Sequence, residues 1–179
     1  MTQTAKTYGD SLYQLAREEG LTDQILPQLS AVVAIFKENP EFLTLLQLPS
    51  LPKKERVALV DEAFCTGLHP YLLNFLKILT ENATVSQFEG CAQEYIKCYN
   101  VDNHILEATA VTAKPLGEEL TKKLQEKLEK ITGKTVQLSQ KVDSNVLGGI
   151  RLELDGAMMD GTIQTRLSAL KAQLKSTVL

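Results

Sequence analysis

The residues best suited to chemistry lie near the C-terminus, in the glycine-rich stretch GGIRLELDGAMMDGTIQTRL at residues 148–167. Glycine-rich turns can cradle a phosphate, because backbone N–H groups at a helix N-terminus approach the anion closely. A dinucleotide-binding turn needs the spacing G-x-G-x-x-G between a strand and a helix. Here Gly148-Gly149 precedes a predicted strand, and the next glycine, Gly156, comes seven residues after Gly149. The spacing fails, so we interpret these glycines as a bend and turns.

A second stretch, Gly133-Lys134-Thr135, is similar to the end of a P-loop. That motif also needs a glycine five residues earlier, where this chain has Leu128. A P-loop leads from a strand into a helix, whereas this stretch leads from a predicted helix into a predicted strand. We therefore reject nucleotide binding at both glycine-rich stretches.

Other catalytic and metal-binding patterns are missing from the sequence. No serine or cysteine lies in the G-x-S-x-G pattern of a nucleophile elbow. A zinc site needs about four ligands at short spacings, and His69 and His104 lie far along the chain from Cys91 and Cys98. We expect no catalytic residue, no cofactor and no metal, and we interpret the chain as a scaffold.

Composition limits the class of partner. The 179 residues carry a formal net charge of −3 and are 44% hydrophobic, which is typical of soluble globular domains and not of nucleic-acid binding. Lysines concentrate at residues 122–141, but neighbouring glutamates offset them, so we interpret this run as a solvated helix face. No apolar run reaches the roughly 18–20 residues of a membrane span, and no targeting signal is visible. Three cysteines, an odd number, argue against a disulfide framework.

The first hundred residues have the pattern of helices. Apolar side chains recur every three or four positions, which is the spacing of amphipathic helices, and proline or glycine interrupts the pattern between them. The six apolar stripes lie at residues 5–16, 25–36, 42–48, 57–64, 71–79 and 85–99. Short connections between such stripes favour a compact antiparallel bundle, here of six helices.

The periodicity changes after residue 104. Alternating, β-branched residues at 105–113 predict a strand. A helix is then predicted, with a buried face formed by Leu116, Leu120, Leu124, Leu128 and Ile131. Pro115 precedes this helix and Gly133 is placed to end it, as is typical of helix starts and ends.

Three further segments alternate in hydrophobicity, at residues 135–142, 150–154 and 157–159, and they predict the remaining strands. Asp155-Gly156 between the last two favours a hairpin turn. A final helix is predicted on Ile163, Leu167, Leu170 and Leu174. The sequence therefore predicts a two-domain α+β protein, with a six-helix bundle over residues 1–104 and a small α/β domain over residues 105–179.

Several motifs follow one another in a recognisable order. They are TYGDSLYQLA at 7–16, NPEFLTLL at 39–46, NFLKILTEN at 74–82, ATAVTAKPL at 108–116 and GKTVQLSQKVD at 133–143. A C-terminal signature follows, made of Gly148, Gly149, Asp160, Gly161, Thr162, Arg166 and Leu167. From end to end, the chain resembles the δ subunit of bacterial F-type ATP synthase, in the family of the mitochondrial oligomycin-sensitivity-conferring protein.

The resemblance implies a non-catalytic stator. In this family the subunit joins the catalytic head to the membrane-anchored peripheral stalk, so that the head does not turn with the rotor. The implied location is the cytoplasmic face of the bacterial cell membrane. The implied partners are the N-terminal helix of an α subunit, bound by the helical domain, and the ends of the b subunits, bound by the C-terminal domain. We expect the α helix to contact Tyr8, Ser11, Leu12, Leu15, Phe75, Leu76, Leu79 and Asn82.

The chain departs from the family pattern at a few positions. Gly9 stands where the family usually has alanine, Ala83 where it usually has glycine, and Gly117 where it usually has a helix-capping serine. None of these residues would have to do chemistry. Two alternatives stay open at this point: an unrelated helical adaptor, which would lack the signature at residues 160–167, and an enzyme with an unrecognised site.

Overall fold

The computed structural model describes residues 2–48, 50–143, 146, 148–154 and 157–160. These residues form seven α-helices, a short 3-10 helix and four β-strands. The chain divides into two compact units, Met1–Tyr99 and Asn100–Leu179. The division falls in the last turn of the sixth helix, a few residues before the boundary that the sequence pattern indicates.

The first unit is helical. Its elements are α1 (Gln3–Glu18), α2 (Thr22–Glu38), α3 (Pro40–Gln47), α4 (Lys53–Phe64), α5 (Pro70–Glu81), a 3-10 turn (Val85–Gln87) and α6 (Phe88–Asp102). The hydroxyl oxygen of Thr2 caps α1 by accepting a hydrogen bond from the Ala5 N–H at 3.3 Å. Pro40 and Pro70 open α3 and α5, where the missing N–H of proline costs no intrahelical hydrogen bond.

A continuous apolar core joins these helices, and every predicted stripe contributes to it. Its centre is aromatic: the ring of Phe36 meets those of Phe64 and Phe88 edge-on, with centroids 6.1 and 5.5 Å apart. Phe75 lies against Phe88 at 6.2 Å. Such pairs each contribute about 0.5–1.5 kcal/mol beyond the burial of their area.

Helices α1 and α6 come unusually close at Gly9. A Cβ at this position would lie 2.5 Å from the backbone oxygen of Cys91 and 2.9 Å from the Cβ of Glu94. Since the nearer atom belongs to the backbone, no side-chain rotation can relieve the contact. The absence of a side chain at Gly9 therefore allows this helix packing.

The buried face of α4 contains a charge that the sequence pattern does not indicate. Arg56 is only 6% exposed, and its Nη1 donates to the Leu46 carbonyl at 3.3 Å. Leu46 lies in the last turn of α3, where carbonyls lack intrahelical partners and a positive charge is favourable. Within the predicted apolar stripe at residues 57–64, Val60 and Phe64 are buried, whereas Ala63 is exposed.

The second unit contains β1 (Ile105–Thr112), α7 (Glu118–Thr132), β2 (Thr135–Val142), β3 (Ile150–Leu154) and β4 (Ala157–Asp160). The strand order is β2-β1-β3-β4. β1 and β2 are parallel and connected through α7, while β3 is antiparallel to both β1 and β4. Leu154 pairs with Ala157, which confirms the predicted hairpin. Its turn, Asp155-Gly156, and the predicted C-terminal helix at residues 163–174 lie outside the described residues.

One face of this sheet packs against α7. Because side chains alternate between faces, Ala108 and Val136 point to the same side, and both are buried with Leu128 of α7. Gly133 ends α7 in the left-handed conformation, with φ 67°, as its position predicts.

The predicted buried stripe of α7 is correct only in its centre. Leu128 is buried and Leu124 partly so, but Leu120 is 59% and Ile131 80% exposed. Leu116 lies before the helix and is half-buried. The interpretation of Leu120 and Ile131 as core residues was therefore wrong.

Polar residues take part of the face of α7 that meets the sheet. The Nε2 of Gln125 donates to the Val136 carbonyl at 2.9 Å, and Glu129 Oε1 accepts the Val136 N–H at 3.2 Å. Val136 lies on β2, whose outer edge has no strand partner among the described residues. These bonds place Gln125 and Glu129 of α7 against β2 and satisfy part of that edge.

Candidate functional site

The glycine-rich stretch is sheet and bend where the structure describes it. Gly149 has φ 91°, a conformation that favours glycine, and it leads directly into β3. Asp160 is the last residue of β4. Within residues 148–154 and 157–160 no helix begins, so this portion offers no helix N-terminus to an anion. The rest of the signature, Gly161, Thr162, Arg166 and Leu167, lies outside the described residues.

Two cysteines of the helical unit have environments unlike those of nucleophiles. Burial raises the pKa of the Cys91 thiol to about 11. Burial, together with the neighbouring negative charge of Asp10, also raises the pKa of Cys98, whose Sγ lies 3.7 Å from Asp10 Oδ1. A reactive thiol needs a lowered pKa. Both thiols therefore stay protonated at neutral pH and act as small packing residues.

His69 has a structural role. Its Nδ1 accepts the Tyr71 N–H at 3.3 Å and caps the first turn of α5. In the part of the chain that the structure describes, no three His, Cys, Asp or Glu side chains are grouped to hold a metal ion. None of the described helices combines the length and apolar character needed to cross a membrane.

An exposed depression on α3 also lacks the chemistry of an active site. It has a volume of about 350 Å³ and is lined by Pro40, Glu41, Thr44, Leu45 and Leu48. Its hydroxyl, that of Thr44, already donates to the Pro40 carbonyl at 3.0 Å. Its carboxylate, Glu41, has no neighbouring acid or base in this lining with which to share a proton. The depression is mainly apolar surface.

The residues predicted to bind a partner helix come together where α1 meets α5. The Tyr8 ring contacts the Phe75 ring edge-on, with centroids 6.3 Å apart, and the Asn82 Nδ2 donates to the Tyr8 hydroxyl at 3.4 Å. Ser11 and Leu15 follow Tyr8 by three and seven residues, and therefore lie on the same face of α1. We call this area the α1/α5 surface.

Three of the predicted contact residues do not reach that surface. Leu12, Leu76 and Leu79 are completely or almost completely buried in the core of the helical unit. Phe75 is also largely buried, with 8% of its surface exposed. These side chains support the surface from below, while Tyr8, Ser11, Leu15 and Asn82 remain accessible.

Sequence reasoning missed one apolar residue of the α1/α5 surface. Ile78 is 47% exposed, and Leu15 on α1 is 39% exposed. Ile78 follows Phe75 by three residues and precedes Asn82 by four, which places it between them on one face of α5. This spacing could have indicated that Ile78 shares a face with Phe75 and Asn82. However, α5 is apolar at almost every position, so the sequence does not show which of its sides is exposed.

The chain matches known proteins along nearly its whole length. The family model of the ATP synthase delta (OSCP) subunit matches residues 4–174. The "ATP synthase subunit delta" of Clostridioides difficile (strain 630) is 31% identical over 175 residues, covering 97% of each chain. That of Geobacillus sp. (strain WCH70) is 34% identical over 171 residues, covering 95% of this chain and 96% of the relative.

A solved structure shows the same fold. A chain of the mitochondrial ATP synthase hexamer of Toxoplasma gondii, determined by cryo-electron microscopy, superposes with a TM-score of 0.72 at 20% identity and covers 97% of this chain. The match to the family model sets aside the alternative of an unrelated helical adaptor. The chain therefore belongs to the ATP synthase delta (OSCP) subunit family, and it is a structural, non-catalytic component of the peripheral stalk of ATP synthase.

Proposed function

We propose that the chain joins the catalytic head of a bacterial ATP synthase to its membrane-anchored stalk, at the cytoplasmic face of the cell membrane. Its helical unit binds the N-terminal helix of an α subunit, and its C-terminal unit binds the ends of the b subunits. The two bacterial relatives named above, both ATP synthase delta subunits, support the assignment to a bacterial ATP synthase. The observation that carries the first contact is the α1/α5 surface.

The α1/α5 surface has the chemistry of a helix-binding site. An amphipathic helix needs apolar anchors beside a few polar groups that fix its register. Leu15 and Ile78 supply exposed apolar area, while Ser11 and Asn82 supply exposed polar groups. Because the Tyr8 hydroxyl already holds Asn82, this part of the surface is organised before a partner arrives, which lowers the entropy lost on binding.

The core beneath this surface suits a part that must resist torque. We propose that the six helices act as one closed bundle. Large side chains from every helix meet in a shared core, and well-packed interiors yield little under strain. A partner helix bound at the α1/α5 surface would therefore pull on the whole unit and not on one mobile helix.

Binding of a synthetic α-subunit N-terminal helix to the full chain tests this proposal by fluorescence anisotropy. Removing an apolar anchor from the centre of a helix interface costs more than about 1.4 kcal/mol, or roughly tenfold in affinity. We expect Ile78→Ser and Leu15→Ser each to weaken binding by that amount.

The control is Ile131→Ser, which removes an isoleucine of α7 that is more exposed than Ile78, at 80% against 47%. It should leave binding of the α helix unchanged. Absence of measurable binding by the unaltered chain, or equal losses in Ile78→Ser and Ile131→Ser, would contradict the assignment of the α1/α5 surface.

A further inference from the structure

His69 caps the N-terminus of α5 with its imidazole ring. The Nδ1 of His69 accepts the Tyr71 N–H at 3.3 Å, and the backbone N–H of His69 donates to Gln28 Oε1 of α2 at 2.7 Å. Because Pro70 has no N–H, the Tyr71 N–H is the first that α5 presents. We propose that this cap is a proton-sensitive switch, in which protonation of His69 releases the first turn of α5.

The sensitivity follows from the presence of a histidine at the capping position. Serine, threonine and asparagine cap helices with an oxygen that accepts a hydrogen bond at any ordinary pH. A neutral imidazole has one nitrogen that accepts and one that donates, whereas an imidazolium only donates. Histidine gains its proton between about pH 8 and about pH 5. The His69 cap therefore ends when the ring is protonated, and no rotation of the ring supplies another acceptor.

The dipole of α5 acts in the same direction. The N-terminus of a helix carries a partial positive charge, which disfavours a cation beside it. The first turn of α5 contains no acidic residue that would offset the charge of an imidazolium. Protonation of His69 therefore removes an acceptor and adds a repulsion at the same end of the helix.

The groups on α5 and α2 that face His69 are a phenol ring and an amide. The Tyr71 ring lies against the imidazole, with ring centroids 5.2 Å apart, and Gln28 contributes its side-chain oxygen. The charged residues of α2 lie five residues before Gln28 or at least nine after it, at Asp23, Lys37 and Glu38. These steps correspond to another face of α2 or to more than two turns along it.

The residues that precede α5 show no carboxylate bonded to His69. On α4, Asp61 pairs with Lys77 of α5 at 2.8 Å, and Glu62 is exposed. In the connection to α5, Cys65 is an exposed thiol, and residues 66–68 are uncharged. None of the ion pairs among the described residues includes His69. An imidazolium at this position therefore gains no partner there that would replace the lost cap.

The direction of the switch is towards acid. The cap stabilises the folded chain while His69 is neutral, and this stabilisation is lost as the pH falls. Ile78 and Asn82 of the α1/α5 surface lie on the same helix, so the element that carries them responds to pH. The switch itself is independent of whether a partner helix binds there.

The test measures urea unfolding of the full chain and of three variants at about pH 8 and about pH 5. His69→Asn keeps a cap whose amide oxygen does not titrate, whereas His69→Ala has no cap at either pH. His104→Asn is the matched control, because His104 is the only other histidine of the chain and is exposed. Hydrogen exchange of the Tyr71 amide, corrected for its intrinsic pH dependence, reports the cap directly.

Acidification should lower the ratio of folded to unfolded chain roughly tenfold more in the unaltered protein than in His69→Asn, because a cap is lost and a repulsion is added. Protection of the Tyr71 amide should fall by a similar factor in the unaltered protein and in His104→Asn, but not in His69→Asn. His69→Ala should be less stable than His69→Asn at about pH 8 and should lose no more than it on acidification.

The proposal is overturned if the unaltered protein and His69→Asn lose stability in parallel between the two pH values. Full protection of the Tyr71 amide at about pH 5 in the unaltered protein would also overturn it. So would a His104→Asn variant that lacks the extra loss on acidification, since the sensitive imidazole would then be His104.

Discussion

The helical unit and the α/β unit of this protein are stabilised in different ways. In the first, large apolar and aromatic side chains from six helices form a shared core, and Ile25, Leu29 and Val60 have no accessible surface. In the second, the buried cluster of described residues is small and centred on Ala108, Leu128 and Val136. There, polar side chains of α7 complete the hydrogen bonds of a strand edge.

The contrast suggests that the two units contribute differently to a connecting protein. A unit with a deep core keeps its shape by itself and presents a preformed surface to a partner. Among the described residues of the α/β unit, Leu120 and Ile131 are exposed apolar side chains, and a partner that covered them would add stability, because only the folded state binds it. We therefore expect the helical unit to be the more rigid of the two.

The largest expected effect is in the aromatic core. Phe88 is 1% exposed, and Phe88→Ala should lower the free energy of unfolding of the helical unit by about 3–5 kcal/mol. Leu128→Ala, its counterpart in the α/β unit, should cost about 2 kcal/mol, because its small cluster collapses more easily. Hydrogen exchange read separately for each unit measures both losses. A larger loss for Leu128→Ala would reverse the comparison.

A close helix contact gives the next effect. Gly9→Ala would force α1 and α6 apart, because the new Cβ meets the Cys91 backbone oxygen. Overpacking costs about 1–3 kcal/mol, and we expect a net loss of about 2 kcal/mol by urea unfolding. Gly67→Ala is the control, since no atom lies within 4 Å of the added Cβ. Similar unfolding midpoints for the two variants would show that the close approach is not constrained.

The core of the helical unit should also be sensitive to alkaline pH. The pKa of Cys91 in the folded chain, about 11, lies above the ordinary value of 9.0 for this thiol. The unfolded state therefore loses its proton first, so this stabilisation is fully present below pH 9.0 and is lost as pH rises towards 11. Between these values the unaltered chain should lose on the order of 2 kcal/mol more than Cys91→Ala. Parallel pH profiles would contradict this.

The strand edge of the α/β unit should respond to loss of its polar cover. Glu129→Ala leaves the buried Val136 N–H without its acceptor, which should cost about 1 kcal/mol and speed exchange of that amide. Glu126→Ala removes an exposed glutamate from the same helix and should change neither quantity by much. Unchanged exchange at Val136 in Glu129→Ala would show that the edge does not rely on α7.

The smallest expected effect is a gain in stability. Ala83 follows α5 with φ 53°, a left-handed conformation that costs a residue with a Cβ about 1–2 kcal/mol. Ala83→Gly should relieve most of this cost, less the entropy of glycine in the unfolded chain, for a gain of about 0.5–1 kcal/mol. Ala58→Gly, at an exposed position within α4, should instead lose about 1 kcal/mol. Thermal unfolding measures the stability of both variants. A loss of stability in Ala83→Gly would show that the backbone at Ala83 is not strained.

The elements with strong periodicity were predictable from the sequence. The helices of the first unit and the β-α-β pattern after residue 104 follow from the spacing of apolar residues, which can be read within each segment of the sequence. The side of each helix that is most buried was not fully predictable. The apolar pattern of α7 includes Ile131, yet the residues of α7 that bond to β2 are Gln125 and Glu129.

The candidate site shows the same limit. The resemblance to a family pointed to α1 and α5, and the structure brings Tyr8, Phe75 and Asn82 together. The resemblance could not distinguish Leu79, which is buried, from Ile78, which is exposed. The two residues are adjacent in a nearly continuous apolar run, and such a run does not indicate which side chain packs into the core. Contacts between distant segments, such as that of Gly9 with Cys91, are likewise absent from any local pattern.

We expect the two units to work in series, one bound to the head and the other to the stalk. Their covalent link passes from α6 to β1 through Asn103 and His104. When both units are bound in one assembly, cutting this link should weaken the transmission of force between them. The head would still hydrolyse ATP, while the coupling of hydrolysis to ion movement would suffer.

The most direct measurement places a protease-cleavable insert between Asn103 and His104 in the assembled, membrane-bound enzyme. ATP hydrolysis and ion pumping are then recorded before and after cleavage, with the uncut insert as the control for the insertion itself. We expect cleavage to leave hydrolysis by the head unchanged and to impair pumping. Pumping that continues at the same rate after complete cleavage would contradict the claim that the chain transmits force through this link.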